Sequence, residues 1–341
     1  MDIPPFISII IPSQNRQKLL ERAILSLFKQ SYPKDKYEII IIDDGSTDRT
    51  AGLVKALQGN SPCKLKYLYQ ENKGPAAARN FGLRQASGEI VVFTDSDCIA
   101  SPDWLKQITA GYDDQKVAGI GGTIKPLTAK SMISQYCAYM RMNEKPDYIE
   151  NTDFIYLITG NASFRKDYLT LAGGFDERYT FAGGEDPDLC YRLQIRGYRL
   201  LYNPEAVVFN PHKQSLKELG STYFNYGVGA TFLSLRRLSQ WDLTGPCGPA
   251  WFWLFLKALG KVSIMFLSRF SAIIINTPLK ALSYYSKEGL SLGRSISYAF
   301  LDFVRIFSFL QGCCYGYIAG KFKGFNIYDD LDEHNKKHSQ E

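Results

Sequence analysis

The sequence predicts an α/β fold with a mostly parallel central sheet flanked by helices, followed by C-terminal hydrophobic helices. Three observations predict it. Through the first part of the chain, short β-type runs with apolar residues on both faces alternate with helix-type segments, and such strands need helical cover on both sides. Acidic or polar clusters follow three of those strands, at the carboxyl ends where ligands bind in sheets of this kind. Two long apolar stretches follow a composition shift at Leu243-Thr244-Gly245-Pro246.

The elements run in order along the chain. Residues 6–11 form a near-continuous apolar run that Pro12 ends. Residues 16–29 carry a helical stripe at Leu19, Leu20, Ala23, Ile24, Leu27 and Phe28. A second buried-type strand covers 37–42, a helix 47–57, a third strand 65–69, a third helix 75–86 and a fourth strand 89–94. Beyond, the pattern is mixed, with a strand near 119–124, helices near 131–142 and 186–196, and Gly-rich turns at Ala172-Gly173-Gly174-Phe175 and Ala182-Gly183-Gly184-Glu185.

Composition narrows the function. The apolar fraction of 45% suits a globular core, and a net charge of +6 that is not concentrated in one arm gives no argument for nucleic acid. Seven scattered cysteines without Cys-x-x-Cys pairs fit reduced thiols and give no support for a zinc site. Met1-Asp2-Ile3-Pro4-Pro5 has no basic region leading into an apolar run, so no secretory leader is expected.

Several strand ends carry residue types suited to chemistry. Asp95-Ser96-Asp97 puts two carboxylates on a turn, where they can hold a divalent cation through oxygen ligands, and a cation there makes a diphosphate a better leaving group. The same residues also read as a turn capping the helix after Pro102. Asp43-Asp44-Gly45-Ser46-Thr47-Asp48 reads as a strand-to-helix turn with Ser46 or Thr47 as N-cap. That leaves the carboxylates at the strand end unexplained, and a base- or ribose-binding role for Asp44 fits the surplus.

Asn72-Lys73-Gly74 opens a helix of small residues on which Lys73 and Arg79 could face phosphate; close helix–sheet packing explains it equally. Glu185-Asp186 begins a helix, where carboxylates are common in any protein. A transferase also needs a carboxylate to deprotonate an acceptor hydroxyl, and Asp186 is the candidate. His212 is either a packed surface histidine or a neutral imidazole completing a metal site with Asp97.

Taken together, these residues resemble glycosyltransferase family 2, over roughly residues 6–237. Ile11-Pro12-Ser13-Gln14-Asn15-Arg16 resembles the family's opening motif, in which an aromatic often stands where Gln14 does. Asp43 to Asp48 and Asn72 to Asn80 resemble its nucleotide-binding turns, and Asp95-Ser96-Asp97 its metal motif. Thr159-Gly160-Asn161-Ala162-Ser163-Phe164 and Gly173-Gly174-Phe175-Asp176-Glu177 resemble its acceptor-side segments. Glu185-Asp186 resembles the pair that holds its general base.

The resemblance implies the GT-A fold of nucleotide-diphospho-sugar transferases. It implies an inverting, metal-dependent enzyme moving one sugar from a nucleoside-diphosphate sugar to an acceptor hydroxyl, in cell-surface glycan, polysaccharide or glycolipid synthesis. Pro12, Asn15, Asp43, Asp44, Lys73, Arg79, Asp95, Gly160 and Asn161 would bind the nucleotide sugar. Asp97, Asp95 and His212 would bind Mn2+ or Mg2+, and Asp186, with Glu185 beside it, would act as base. The acceptor would be a glycan or a lipid-linked sugar, and no nucleic acid is expected as a partner. The histidine of close relatives falls at Asn210, two residues before His212. The Gln-x-x-Arg-Trp motif of processive members is not matched by Arg236-Arg237-Leu238-Ser239-Gln240-Trp241, so single-sugar transfer is expected.

The resemblance and the composition shift divide the chain into a catalytic domain over 1–240, a hydrophobic helical membrane-associating region over 241–325 and a polar tail over 326–341. Residues 251–275 are long enough to span a bilayer but contain Lys257, Lys261 and Arg269, and 296–319 contain Asp302 and Arg305. Helices lying in the interface, or a packed helical pair, fit those charges better than independent spans. The expectation is a chain held at the cytoplasmic face of a membrane through these helices. Two other readings stand beside this one: a catalytically silent sugar-nucleotide- or glycan-binding membrane protein, and a nucleotidyltransferase. The second lacks the Gly-rich, basic loop after strand one that its class carries.

Overall fold

A computed structural model describes residues 4–127, 129–142, 144–149, 152–239 and 280–322. The chain forms two compact units, residues 1–214 and 215–341.

In the first unit, every strand and helix expected within residues 6–94 forms. β1 (Ile7–Ser13), α1 (Gln17–Phe28), β2 (Tyr37–Asp44), α2 (Thr50–Gln58), β3 (Lys64–Gln70), α3 (Pro75–Gln85) and β4 (Ile90–Thr94) follow one another as β-α repeats. The reason is the isoleucine content of the strands. β2 is buried at every position, because helices cover both faces of the sheet. On one face Ile9, Ile11, Ile39, Ile41 and Val92 share a core with Leu20, Ile24 and Leu27 of α1. On the other, α3 approaches so closely that a Cβ on Gly82 would collide with the Ile10 side chain. Alternation along β1 feeds both layers. Each such isoleucine contributes roughly 1.5–3 kcal/mol by leaving water.

The remaining elements are β5 (Ile99–Ala100), α4 (Trp104–Ile108), β6 (Val117–Pro126), α5 (Met132–Tyr139), β7 (Asp147–Tyr148), β8 (Ile155–Tyr156), β9 (Asn161–Arg165), α6 (Lys166–Leu171), α7 (Glu185–Gln194) and β10 (Arg199–Asn210). The main sheet has eight strands in the order β3-β2-β1-β4-β9-β6-β10-β5. It is mixed. β3, β2, β1 and β4 are parallel, as the β-α repeats require, while β9 is antiparallel to both β4 and β6. β5 is antiparallel to β10.

Two features of this topology position the site. The chain moves outward from β1 to β2 and β3, then returns to place β4 on the other side of β1, so the carboxyl ends of β1 and β4 flank a switch point. The last β1–β4 pair is Ile10 with Phe93, and the strands part beyond it. The antiparallel pairs then carry distant residues to the same place. Asn161 lies opposite Thr94, and Phe209 lies opposite Ile99.

In the second unit, helices Leu216–Ser239 and Leu292–Phe322 pack through small residues. A Cβ on Gly227 would strike the Phe309 carbonyl, and one on Gly312 the Phe224 carbonyl, so the two backbones are in near contact. Tyr285 donates to Asp302 at 2.6 Å, and Arg305 pairs with the other oxygen of Asp302 at 2.9 Å.

This unit corrects the expected location at the cytoplasmic face of a membrane, held there by hydrophobic helices. Among the described residues no helix is long and apolar enough to cross a membrane. Leu292–Phe322 has the length, but its sequence includes Arg294, Asp302 and Arg305, and Asp302 is buried against tyrosine and arginine within the unit. The other apolar stretch, 251–275, the shift at 243–246, residues Gln240 and Trp241 and the polar tail lie outside the described residues.

The helix contact yields a stability prediction. Gly312→Ala and Gly227→Ala should each lower the unfolding free energy by about 1–3 kcal/mol in urea titrations. Gly293→Ala, where a Cβ would meet nothing, should stay within about 0.5 kcal/mol of the parent protein.

Candidate functional site

The loops after β1 and β2 are stitched together by Asn15. Its φ of 52° is in the left-handed region, which Asn tolerates better than most residues. Its backbone N–H donates to Ser46 Oγ at 2.9 Å, and its side-chain Oδ1 accepts from the backbone N–H of Thr47 at 2.8 Å. Ser46 and Thr47 are thus turned toward the first loop. The N-cap position of α2 is Arg49, without a side-chain cap, and Asp48 before it accepts from the Thr50 backbone at 3.0 Å and its hydroxyl at 2.5 Å. Pro12 lies in β1 beyond the last pair with β4, opposite Ile42.

The two carboxylates that end β2 are both buried and both in use. Asp43 accepts from Ser46 N–H at 2.8 Å and the Tyr67 hydroxyl at 2.7 Å. Asp44 accepts from Gln70 Nε2 at 2.7 Å, Lys73 N–H at 2.9 Å and Gly74 N–H at 3.0 Å. Asp44 therefore fixes the entry to α3, including Gly74, whose φ of +89° and closeness to the Thr180 carbonyl leave no room for a side chain. The Lys73 side chain is exposed.

Arg79, one helical turn into α3, is buried to 4% exposure. It pairs with Glu185 at 2.9 Å and reaches Asp95 at 3.5 Å, and it interacts electrostatically with Asp186. Its guanidinium lies 5.6 Å from the Phe175 ring centroid. Arg79 thereby joins the Asp95-Ser96-Asp97 turn to the start of α7. Glu185 is held in turn by the Gly183 N–H at 2.6 Å. Asp186 accepts from Thr159 N–H at 2.9 Å and from the Thr159 hydroxyl at 2.9 and 3.0 Å. Burial and the charge of Glu185 push its carboxyl up to about 7, against the pull of Arg79 and the Thr159 bonds.

The Asp95-Ser96-Asp97 turn does not cap a helix: α4 begins at Trp104 behind Asp103 with no side-chain cap. The Asp95 side chain is 40% exposed and lies close to Gly160. Asp97 is touched by Arg16 at 2.6 Å and by Asn210 Nδ2 at 2.7 Å. Burial and Asp95 push the Asp97 carboxyl up, while Arg16 and Lys213 pull it down. Carboxylate oxygens of Asp95 and Asp97 and the Cys98 sulfur lie within 4.8 Å of one another, a grouping able to hold a metal ion. Burial pushes the Cys98 thiol up.

His212 is not in that group. Burial and Lys213 lower its pKa, which leaves a neutral, half-buried imidazole. Asn210 is the residue that reaches Asp97, because the pairing of β10 with β5 ends beside it. Its contact was not read from the sequence; the signal available was its alignment with the family histidine. Asn161 is buried, with its amide on the Trp104 indole, the Thr123 carbonyl and the Ala206 carbonyl. It braces β9, and the Gly160 carbonyl accepts from Thr94 at 3.0 Å.

Comparison with known proteins agrees with this arrangement. The family model described as Glycosyl transferase family 2 matches residues 8–171, and that described as Glycosyl transferase family group 2 matches residues 90–286. A validoxylamine A glucosyltransferase of Streptomyces hygroscopicus subsp. limoneus is 27% identical over 62% of this chain and 53% of its own length. A pre-mycofactocin glycosyltransferase of Mycobacterium tuberculosis is 30% identical over 67% of this chain and 48% of its own. The chain thus spans about half the length of these curated relatives. A mannosyltransferase from Pyrobaculum calidifontis, solved in complex with GDP-Man and Mn2+, covers 89% of this chain and 88% of its own. It superposes with a TM-score of 0.57 at 19% identity, a likeness of fold. One family match takes in more than half of the chain and the other nearly half; the chain belongs to glycosyltransferase family 2.

Proposed function

We propose that the chain transfers a single sugar from a nucleoside-diphosphate sugar to an acceptor hydroxyl with inversion, using a divalent cation. The observation that carries this reading is Arg79. One buried guanidinium touches Asp95 on the metal-type turn and Glu185 beside the candidate base, so donor-side and acceptor-side carboxylates sit around a common centre.

The residues fit a metal of the Mn2+ or Mg2+ class. Two of the three grouped side chains, Asp95 and Asp97, offer hard carboxylate oxygens. Asp95 and Asp97 would hold the ion, which when bound neutralises charge on the departing diphosphate. The loops stitched by Asn15 and the α3 entry fixed by Asp44 form the floor for the nucleotide. Both carboxylates of β2 are largely committed to protein donors, so their contribution is to shape and stiffen this floor. Lys73, exposed at the same entry, supplies positive charge toward phosphate. Gly160 lets the backbone approach Asp95 closely, where a side chain would crowd the carboxylate.

Asp186 is the base. With its carboxyl near 7 it is about half ionised at neutral pH, and Thr159 fixes its orientation. As the acceptor oxygen attacks the anomeric carbon, its proton passes to Asp186. The bond from that carbon to the diphosphate oxygen breaks with its electrons leaving on the diphosphate. One displacement inverts the configuration. The glucosyltransferase name among the relatives supports a hexose donor, and a glycan or lipid-linked sugar is the acceptor proposed with it.

Four outcomes test this. Asp186→Asn should lower turnover by about 10²–10⁴-fold while leaving donor binding, read by calorimetry with Mn2+, nearly intact; turnover close to that of the parent would assign the base elsewhere. Because the base must be ionised, kcat/KM should rise with pH through about 7 and level off above it, and this limb should vanish in Asp186→Asn. A calorimetric screen of uridine, guanosine and thymidine diphosphate sugars with Mn2+ should find one tight donor. Asp97→Ala should abolish the Mn2+ dependence of that binding.

A further inference from the structure

Arg16 has no part in the proposed transfer chemistry, yet its guanidinium sits 2.6 Å from Asp97 Oδ2. Any role for this contact rests on the reading of Asp97 as a metal ligand.

The Asp97 carboxylate is engaged at both oxygens, by partners that differ in kind. Asn210 donates to Oδ1 at 2.7 Å and to Cys98 Sγ at 3.3 Å, from the end of a strand whose pairing with β5 holds it in place. It is neutral and sets the orientation of the carboxylate. Arg16 brings a full positive charge to Oδ2 on a side chain that is 46% exposed, at the residue before α1 begins. Its backbone is anchored through the N-terminal turns of α1, which donate to the Arg16 carbonyl, and through its neighbour Asn15, while the side chain has room to move. A divalent cation on Oδ2 and a guanidinium at contact distance from the same atom exclude each other, by sterics and by like charge. The guanidinium is also suited to phosphate, which it grips with paired N–H donors.

We propose that Arg16 is a built-in placeholder cation. It occupies Oδ2 of Asp97, the oxygen that Asn210 leaves open, and, when the nucleoside diphosphate arrives with its cation, exchanges that carboxylate for the diphosphate. The exchange keeps Asp97 compensated in both states and makes metal binding depend on the nucleotide. The charge count supports this. Lys213 is the other cation acting on Asp97, so with Arg16 in place the turn already carries compensation for its carboxylates before any metal is bound.

The test is a Mn2+ titration of the full chain, following the free-ion signal by electron paramagnetic resonance, alone and with uridine or guanosine diphosphate. Arg16→Gln should bind Mn2+ alone at least about threefold more tightly than the parent, the order expected from releasing an exposed ion pair. It should also gain less from added nucleoside diphosphate. Arg16→Lys, which keeps the charge, should behave like the parent. An Arg16→Gln chain that binds Mn2+ alone no better than the parent would overturn the proposal. Asp97→Ala separates the two claims. If it binds Mn2+ as well as the parent, the metal reading itself fails. If it loses Mn2+ while Arg16→Gln is unchanged, the metal reading stands and the placeholder falls.

Discussion

A guanidinium cannot be buried without anionic partners, and this constraint on Arg79 organises the catalytic unit. Removing such a charge from water costs several kcal/mol, offset only by close, well-directed counter-charges. Glu185 at 2.9 Å and Asp95 at 3.5 Å supply them from separate elements. To satisfy one side chain on α3, the chain must bring the turn after β4 and the first turn of α7 together, although they are far apart in sequence. The raised carboxyl of Asp186 is a by-product of the same arrangement. It sits in the burial that Arg79 requires, beside Glu185, with only part of the guanidinium's attraction to hold it ionised.

The sheet makes that meeting possible. In an all-parallel sheet, the strands beyond β4 would need their own crossover helices, and the segment around Thr159 would lie at a helix-covered face. The antiparallel entry of β9 instead sets Asn161 against Thr94, so the residues just before β9 stand at the carboxyl end of β4. Thr159 then orients Asp186, and Gly160 lies against Asp95. A buried Asn161 with its amide fully engaged is the fastening that allows it, tying β9 to β6, to β10 and to Trp104.

How far this was legible in the sequence depends on what each residue's signal reports. The isoleucine strands announce themselves because burial on both faces admits little that is polar, and the parallel half of the sheet follows from them. β9 carries Asn161 and Ser163 at buried positions, and polar residues satisfied by distant partners look like loop. The acidic clusters were legible as clusters but not as individuals: nothing local says that Asp44 spends its carboxylate on the backbone of Lys73 and Gly74. Nor can composition say that Asn210, rather than His212, reaches Asp97, since strand pairing with β5 decides it. The membrane expectation failed for a related reason. The helix that carries residues 296–316 packs backbone-to-backbone on another through glycines, with Asp302 paired inside the unit.

The carboxylates at this rim fall into two groups by burial, with Asp43, Asp44 and Glu185 buried and Asp95, Asp97 and Asp186 partly open. Asp43, Asp44 and Glu185 are buried and each accepts two or more directed bonds. Such groups are rigid and have little capacity left for a ligand. Asp95 has one longer contact with Arg79 and a side chain open to solvent. Asp97 accepts from Asn210 and from Arg16, whose exposed side chain has room to move, and the hydrogen bonds that Asp186 accepts come from one residue, Thr159. Asp97 can exchange Arg16 for another cation without stripping a buried donor of its acceptor, which is the costly step, whereas Asp186 is held by the buried Thr159. The proposed chemistry at this rim rests on Asp95, Asp97 and Asp186. The acidic residues that look equally suited in sequence are the frame that keeps these three within reach of one another.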